Sequence, residues 1–436
     1  MTPMNSIKKN KLKNQLLRIL ALGSVIVMAG CTTLDRSEPG AEVNTRTIDL
    51  TVAPLDVWER IRRGFAVPNL NSPLVDKWTA YYASHPQSIK RMADRSGKYM
   101  YYIVDEINRR GLPTELALLP FVESAYNPNA YSRAHASGLW QFIPSTGTAF
   151  KLEQTWWRDQ RRDPIASTNS ALDYLEYLFE FQGDWFLAFA SYNWGEGSVK
   201  RAITKNVEAG LPADYKSLKM PDETANYVPK LQAIKNIIAD PEKYAVVLPI
   251  VDNEPYFVTV KKDRDIDLAV AAQLAEMPLE AFSELNPSFN QGVILADLHP
   301  EILLPREKVA VYLANLAQHQ GDLTSWKKYT TGERDTLQSV AQQFNVQVET
   351  LRRANDLNRS QSTLTAGTQL IIPGPTAIES IAAAEVRSPV RVYQVKRGDT
   401  LASIARTHKT SIGSLRSLNN LKSNNIKLGQ RLRLPG

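Results

Sequence analysis

The sequence predicts an α+β multidomain protein, one helical domain followed by small βααβ modules, on three observations. With 436 residues, 43% hydrophobic and 22% charged, the chain exceeds one ordinary core, and about two to four globular domains are expected. From Leu55 to Ile238 apolar residues recur at helical spacing. Near the C-terminal end a unit beginning at Tyr329 returns at Tyr393, and such internal similarity marks a repeat architecture.

The first thirty residues read as an export signal: a basic segment, an apolar run from Ile19 to Ala29, then small residues before Cys31. The run is too short for a permanent bilayer span. Lys8, Lys9, Lys11, Lys13 and Arg18 lie in this stretch, which has no acidic residue, so its removal takes the net charge from +7 to +2. No strongly basic surface then remains to argue for nucleic acid. Cys31 is the only cysteine, which excludes a disulfide within the chain, and an unpaired thiol in an exported protein calls for a role. Its place after Met28-Ala29-Gly30 resembles a lipobox. That resemblance implies cleavage before Cys31, its acylation and a lipid anchor, and Thr32 in the next position implies the outer membrane, facing the periplasm. Asp35 to Pro54 is polar and aperiodic, as a tether would be.

Val57, Trp58, Ile61 and Phe65 then open a helical pattern, followed by Trp78, Tyr81 and Tyr82, and by Tyr99 to Ile107 with Arg109, Arg110 and Gly111 closing that helix. These aromatic stripes are expected in the core. In the central stretch, Leu116, Leu118, Leu119, Phe121 and Val122 predict a buried helix ended by Asn127-Pro128, with Glu123 half desolvated at its end. Burial raises a carboxyl pKa, which a general acid near neutral pH requires, and a glycosidic bond is a substrate such an acid serves. Further on, Asp163-Pro164 opens a helix over Ser167 to Phe181, where Asp163 is read as its cap or an arginine partner. Gly183-Asp184-Trp185 then turns the chain into Phe186 to Tyr192. Gly195-Glu196-Gly197-Ser198 is read as a flexible loop, and the helix Asn226 to Ile238 closes the domain.

Four ordered segments now stand out: Glu123 to Ser132, Ser137 to Thr146, Ala190 to Gly195, and Glu223-Thr224 with Tyr227-Val228. The series resembles the family 1 lytic transglycosylases, which implies a goose-lysozyme-like α-helical domain from about Trp78 to Lys243. By the same resemblance Glu123 is the catalytic residue, Ser132, Ser137 and Gln141 contact substrate, Tyr192 and Asn193 form a Tyr-Asn pair near the catalytic glutamate, and Tyr227 bounds the cleft. The structural alternatives are that Ser137-Gly138 makes a turn and Asn193 caps a helix.

In the repeats, Tyr393 to Ala405 parallels Tyr329 to Ala341, Asp335 and Asp399 each precede an asparagine (Asn355, Asn419), and each unit ends in an apolar-proline pair. Each reads as strand, two short helices, strand. The pattern resembles the LysM module, which implies binding of N-acetylglucosamine-containing glycans. Arg334 stands where the second copy has Gly398, and a fainter third copy runs from Tyr256 to Pro305, with Asp265, Ala271 and Asn286-Pro287 in corresponding places. The expected organisation is a lipoprotein signal peptide (1–30), a tether (31–54), a catalytic domain (55–245), a degenerate LysM-like domain (255–306), a LysM module (328–373), a linker (374–390) and a LysM module (391–435). Modules tied to an enzyme make its second encounter with the same polymer intramolecular.

Most glycosidases pair two carboxylates, yet the first three of these segments hold Glu123 and no obvious partner, with Glu196, just past the third, the only nearby candidate. If no base positions a water, the substrate must supply the nucleophile. The family resemblance implies just that: cleavage between N-acetylmuramic acid and N-acetylglucosamine in peptidoglycan to give 1,6-anhydromuramoyl ends, Glu123 acting first as acid and then as base. Two alternatives stay open, hydrolysis with Glu196 or Asp163 positioning water, and a noncatalytic wall-binding scaffold. His85, His135, His299, His319 and His408 are scattered without ligand spacing and no phosphate-binding glycine loop occurs, so no metal or cofactor is expected. The expected partners are peptidoglycan strands and a membrane, with the chain a monomer.

Overall fold

Local signals start and stop the helices of the first domain. Asp56 caps α1 (Val57–Arg63) by accepting from Glu59 N, and Ser72 caps α2 (Pro73–Ala83) by accepting from Val75 N. Proline holds the first position of α2 and of α3 (Pro86–Ser96), where its missing N–H costs nothing. α4 (Met100–Arg109) runs into Gly111 at φ +69. The computed structural model describes residues 53–358, 364–374, 391–408, 412, 415–416, 419, 421 and 423–434. The leader, Cys31, the tether up to residue 52 and the linker from residue 375 lie outside the described residues. Among the described residues no helix is long and apolar enough to cross a membrane.

α6 (Pro144–Ala149), α7 (Pro164–Gln182), α8 (Trp185–Trp194), α9 (Glu196–Glu208) and α10 (Asp222–Ala239) complete the domain. α10 packs against α2, α8 and the short helix α5 (Leu119–Glu123), burying Val228, Leu231, Ile234, Ile237 and Ile238. Pro229 sits inside it and cannot donate to the carbonyl of Ala225. The Tyr215 hydroxyl donates to that carbonyl at 3.1 Å instead, so the freed acceptor is satisfied. A buried carboxylate, Glu115, accepts from Ala66 N and Val67 N and pairs with Lys235 at 2.8 Å, tying the α1–α2 connection to α10.

Three expectations are corrected here. The central apolar run is a 3₁₀ turn, Thr114–Leu118, leading into α5, and it ends well before Pro128, because Ala125 and Tyr126 turn left-handed at φ +52 and +55. Tyr126 can hold that conformation because its buried hydroxyl donates to Ala117 O at 2.7 Å. Glu196 is the first residue of α9 and not part of a flexible loop. Gly195 alone, at φ +87, makes the corner from α8, which is an ordinary use of glycine at a helix start. The aromatic stripes are also not all core: Trp58 and Tyr99 are buried, but Tyr81 is 49% exposed.

Beyond the helical domain lie the βααβ units. The first pairs β1 (Phe257–Lys261) with β4 (Glu301–Pro305) antiparallel, Phe257 opposite Pro305, around α11 (Leu268–Leu274) and α12 (Leu279–Leu285). A short ladder of β2 (Ile266–Asp267) on β3 (Val293–Ile294) and a further helix, α13 (Val309–Gln318), add to it, and Tyr312 of α13 enters its core. The next unit pairs β5 (Lys327–Thr330) with β6 (Gln369–Ile372) around α14 (Leu337–Gln343) and α15 (Val348–Ala354). The last pairs β7 (Arg391–Gln394) with β8 (Arg431–Leu434), beside a helix over Leu401–Thr407.

One asparagine explains the repeat. Asn355 Nδ2 donates to Leu351 O and Ile371 O while its Oδ1 accepts from Ile371 N, clamping the second helix to the closing strand. Asn419 makes the same bonds to Leu415 O, Arg433 O and Arg433 N, and Asn286 to Phe282 O, Leu303 O and Leu303 N. The faint third copy therefore keeps the clamp. It is also docked, not a free spacer: Phe257, Leu285 and Leu303 share the helical domain's core, Tyr99 donates to Glu284 O at 2.9 Å, and Lys98 pairs with Glu284.

Candidate active site

Glu123 occupies the last position of α5, and the loop after it is built to keep it there. The Ser124 hydroxyl donates to Leu139 O at 2.8 Å, joining the helix end to the segment that follows. That segment turns at Gly138, φ +83, where a Cβ would lie 2.0 Å from Arg161 O, so no other residue fits. Arg161 is buried, pairs with Asp159 and donates to His135 O and Phe142 O, pinning the loop from inside. Tyr192 of α8 closes the arrangement by donating to Trp140 O at 2.8 Å.

These elements enclose a cleft of about 440 Å³ lined by Glu123, Ser132, Gln141, Tyr192, Asn193 and Tyr227, together with Tyr174, Trp194, Glu223 and Lys230. Ser137 is not brought there. It is 1% exposed and its backbone bridges Tyr131 and Phe142, so it is a folding residue of the loop. Ser132 Oγ accepts from Ala134 N and Ala136 N at the cleft rim. Gln141, at φ +51, donates to Gly138 O and Ala130 O. Asn193 Oδ1 accepts from Thr224 Oγ1 at 2.8 Å, which fixes the orientation of its amide.

The electrostatics centre on Glu123. Burial, helped by the nearby charge of Glu223, pushes its carboxyl up to about 7. The Tyr227 hydroxyl, which donates to Glu123 Oε1 at 2.5 Å, and the cation of Lys230 oppose that rise. Tyr227 itself is held well above the ordinary phenol range by burial and by Glu123, so it stays a neutral donor. Near neutral pH Glu123 therefore exchanges between acid and carboxylate, as a group that gives a proton and takes one back must.

Lys230 was missed in the sequence, and Glu223 was read only as part of a motif segment and not as a cleft residue. Both lie on α10 with Tyr227, at i, i+4 and i+7, so helical periodicity from Tyr227 alone would have put them on one face. The two carboxylates weighed from the sequence do not line the cleft. Glu196 Oε2 accepts from the Tyr174 hydroxyl at 3.1 Å. Asp163 caps α7 through Ile165 N and Ala166 N, pairs with Arg158 and lines a separate cavity against the first βααβ unit.

Residues 100–211 match the transglycosylase SLT domain, 329–373 and 393–435 the LysM domain, and 256–321 the LysM-like domain of the lytic transglycosylase MltD. The chain is similar to the membrane-bound lytic murein transglycosylase D of Escherichia coli, 34% identical over 353 residues, which cover 78% of this chain and 76% of that one. Among solved structures, the 70 kDa soluble lytic transglycosylase SLT70 of Escherichia coli matches 30% of this chain and 23% of its own at 23% identity, with a TM-score of 0.25.

Proposed function

Because the chain belongs to the membrane-bound lytic murein transglycosylase D family and is a lytic transglycosylase acting on peptidoglycan through its SLT and LysM domains, we propose that Glu123 alone performs both proton transfers of a cleavage without water. As an acid it protonates the oxygen linking N-acetylmuramic acid to N-acetylglucosamine, and the bond from that oxygen to C1 breaks. As a carboxylate it takes the proton of the C6 hydroxyl while the C6 oxygen bonds to C1. The proton returns to Glu123, the products are a 1,6-anhydromuramoyl end and a free N-acetylglucosamine end, and their masses sum to that of the substrate. The substrate's own N-acetyl group can relieve charge at C1, as in substrate-assisted glycosidases.

The observation that carries this reading is a carboxyl raised to about 7 in a cleft with a neutral phenol on one of its oxygens. Gln141, Tyr192, Asn193, Tyr227 and Ser132 line the same cleft and are the proposed substrate contacts, with Ser137 acting through the loop it folds. The reaction as written calls on no metal or cofactor. Acylation at Cys31 would hold the enzyme at the outer membrane facing the periplasm as a monomer, and the LysM modules would keep it on the glycan. Digesting purified peptidoglycan with wild type and Glu123→Gln tests the assignment: anhydro ends from the first and intact polymer from the second are expected.

A second reading has one observation behind it. Glu223 lines the cleft beside Glu123 and would be the residue to position a water in a lysozyme-like hydrolysis. Reducing muramic acid ends in the digest would select it.

A further inference from the structure

A row of aromatic rings leaves the cleft along α7. It starts with Tyr192 and Tyr174, both cleft-lining, whose ring centroids lie 5.3 Å apart. Tyr177 follows Tyr174 at 6.4 Å with 16° between ring planes, and Phe181 follows Tyr177 at 6.0 Å with 24°. Steps of three and four residues keep all three on one face of the helix.

Tyr174 is only 8% exposed and also packs on Phe150, so the core accounts for it. It does not account for the other two. Tyr177 is 43% and Phe181 40% exposed, and neither belongs to the core of the helical domain or to its partly buried margin. A lone exposed aromatic needs no explanation, whereas a near-parallel series continuous with a substrate cleft does. Beside it Lys200 of α9 places its ammonium 5.5 Å from the Phe181 ring centroid.

The chemistry of such a surface fits one occupant. In a β-1,4-linked strand each pyranose presents a flat face of C–H bonds to the electron-rich face of an aromatic ring. Lys200 adds a cation suited to the carboxylates that peptide-bearing muramic acid carries. We propose that Tyr177 and Phe181, flanked by Lys200, form a distal glycan subsite that continues the cleft and grips the peptidoglycan strand beyond the bond being cut. This rests on the reading of the Glu123 cleft as the place where the strand is cleaved.

The test compares the full chain with Tyr177→Ala/Phe181→Ala on two substrates, long uncrosslinked glycan strands and the shortest oligosaccharide that wild type cleaves. The subsite predicts a fall of about tenfold in kcat/KM on long strands, mostly through KM, with the short substrate nearly unchanged. The ring-keeping pair Tyr177→Phe/Phe181→Tyr should restore the long-strand rate, which a mere packing role of the hydroxyl-bearing surface would not require. Equal losses on both substrates, or no loss on long strands, would overturn the subsite while leaving the cleft reading standing. A wild type that cleaves neither long strands nor any oligosaccharide offered to it would overturn the cleft reading, and the subsite with it.

Discussion

The Tyr227 phenol and the Glu123 carboxylate meet at 2.5 Å although 104 residues separate them in the chain. A hydrogen bond to the charged form favours it, so this contact restrains a carboxyl that burial pushes upward. Tyr227→Phe should therefore raise the Glu123 pKa and move the alkaline limb of the kcat/KM profile to higher pH. Glu223→Gln removes a repelling charge and should move the same limb to lower pH. Opposite displacements in the two pH profiles are the expected outcome, and a shared direction would sink this electrostatic account.

Glu123→Gln should lower glycan cleavage by about 10³-fold or more, since one residue serves both proton transfers. The same substitution should stabilise the fold in alkaline solution. A carboxyl raised from 4.5 to about 7 gives its full stability below its unfolded pKa and loses it as pH climbs through about 7, when a charge must be held in the cleft. The neutral amide avoids that loss, of the order of 1 to 3 kcal/mol. Urea unfolding of both proteins below pH 4.5 and above pH 7 measures it.

Asp163→Ala separates structure from catalysis. It removes the α7 cap and strands Arg158, so unfolding should become easier by about 2 to 4 kcal/mol. Because Asp163 lines a different cavity from Glu123, kcat of the folded fraction should fall by far less than the loss expected of a catalytic base. A hundredfold drop, on the scale of general base catalysis, would return Asp163 to the chemistry.

The asparagine clamp makes a prediction that differs between copies. Asn286→Ala removes the side-chain partners of Leu303 N–H and Leu303 O in a buried setting, at a cost of about 2 to 4 kcal/mol, while Phe282 O keeps the backbone N–H of residue 286. Since Leu303 is part of the helical domain's core, amide exchange should quicken in both that domain and β1–β4. Asn419→Ala should quicken exchange only around β8. Identical exchange maps for the two variants would contradict the shared core.

The helical domain, the βααβ repeats and Glu123 with most of its cleft neighbours could be read in the sequence because each has a local signature: periodicity, an asparagine at a fixed offset, or a motif. What escaped depends on contacts distant in sequence. Ala125 and Tyr126 turn the chain left-handed only because the Tyr126 hydroxyl finds Ala117, so a proline looked like the helix stop instead. Flanking glycines made Glu196 look like loop, though Gly195 simply turns α8 into α9. Ser137 carries a substrate-contacting motif position, yet its backbone is spent on the loop's own pairing. Glu223 and Lys230 reach the cleft only through the packing of α10 on α5.

Cleavage in water enriched in heavy oxygen, followed by mass spectrometry of the new muramic acid ends, tests ring closure most directly. The account predicts ends one water lighter than reducing sugars and free of the isotope. Reducing ends carrying heavy oxygen at C1 would contradict it.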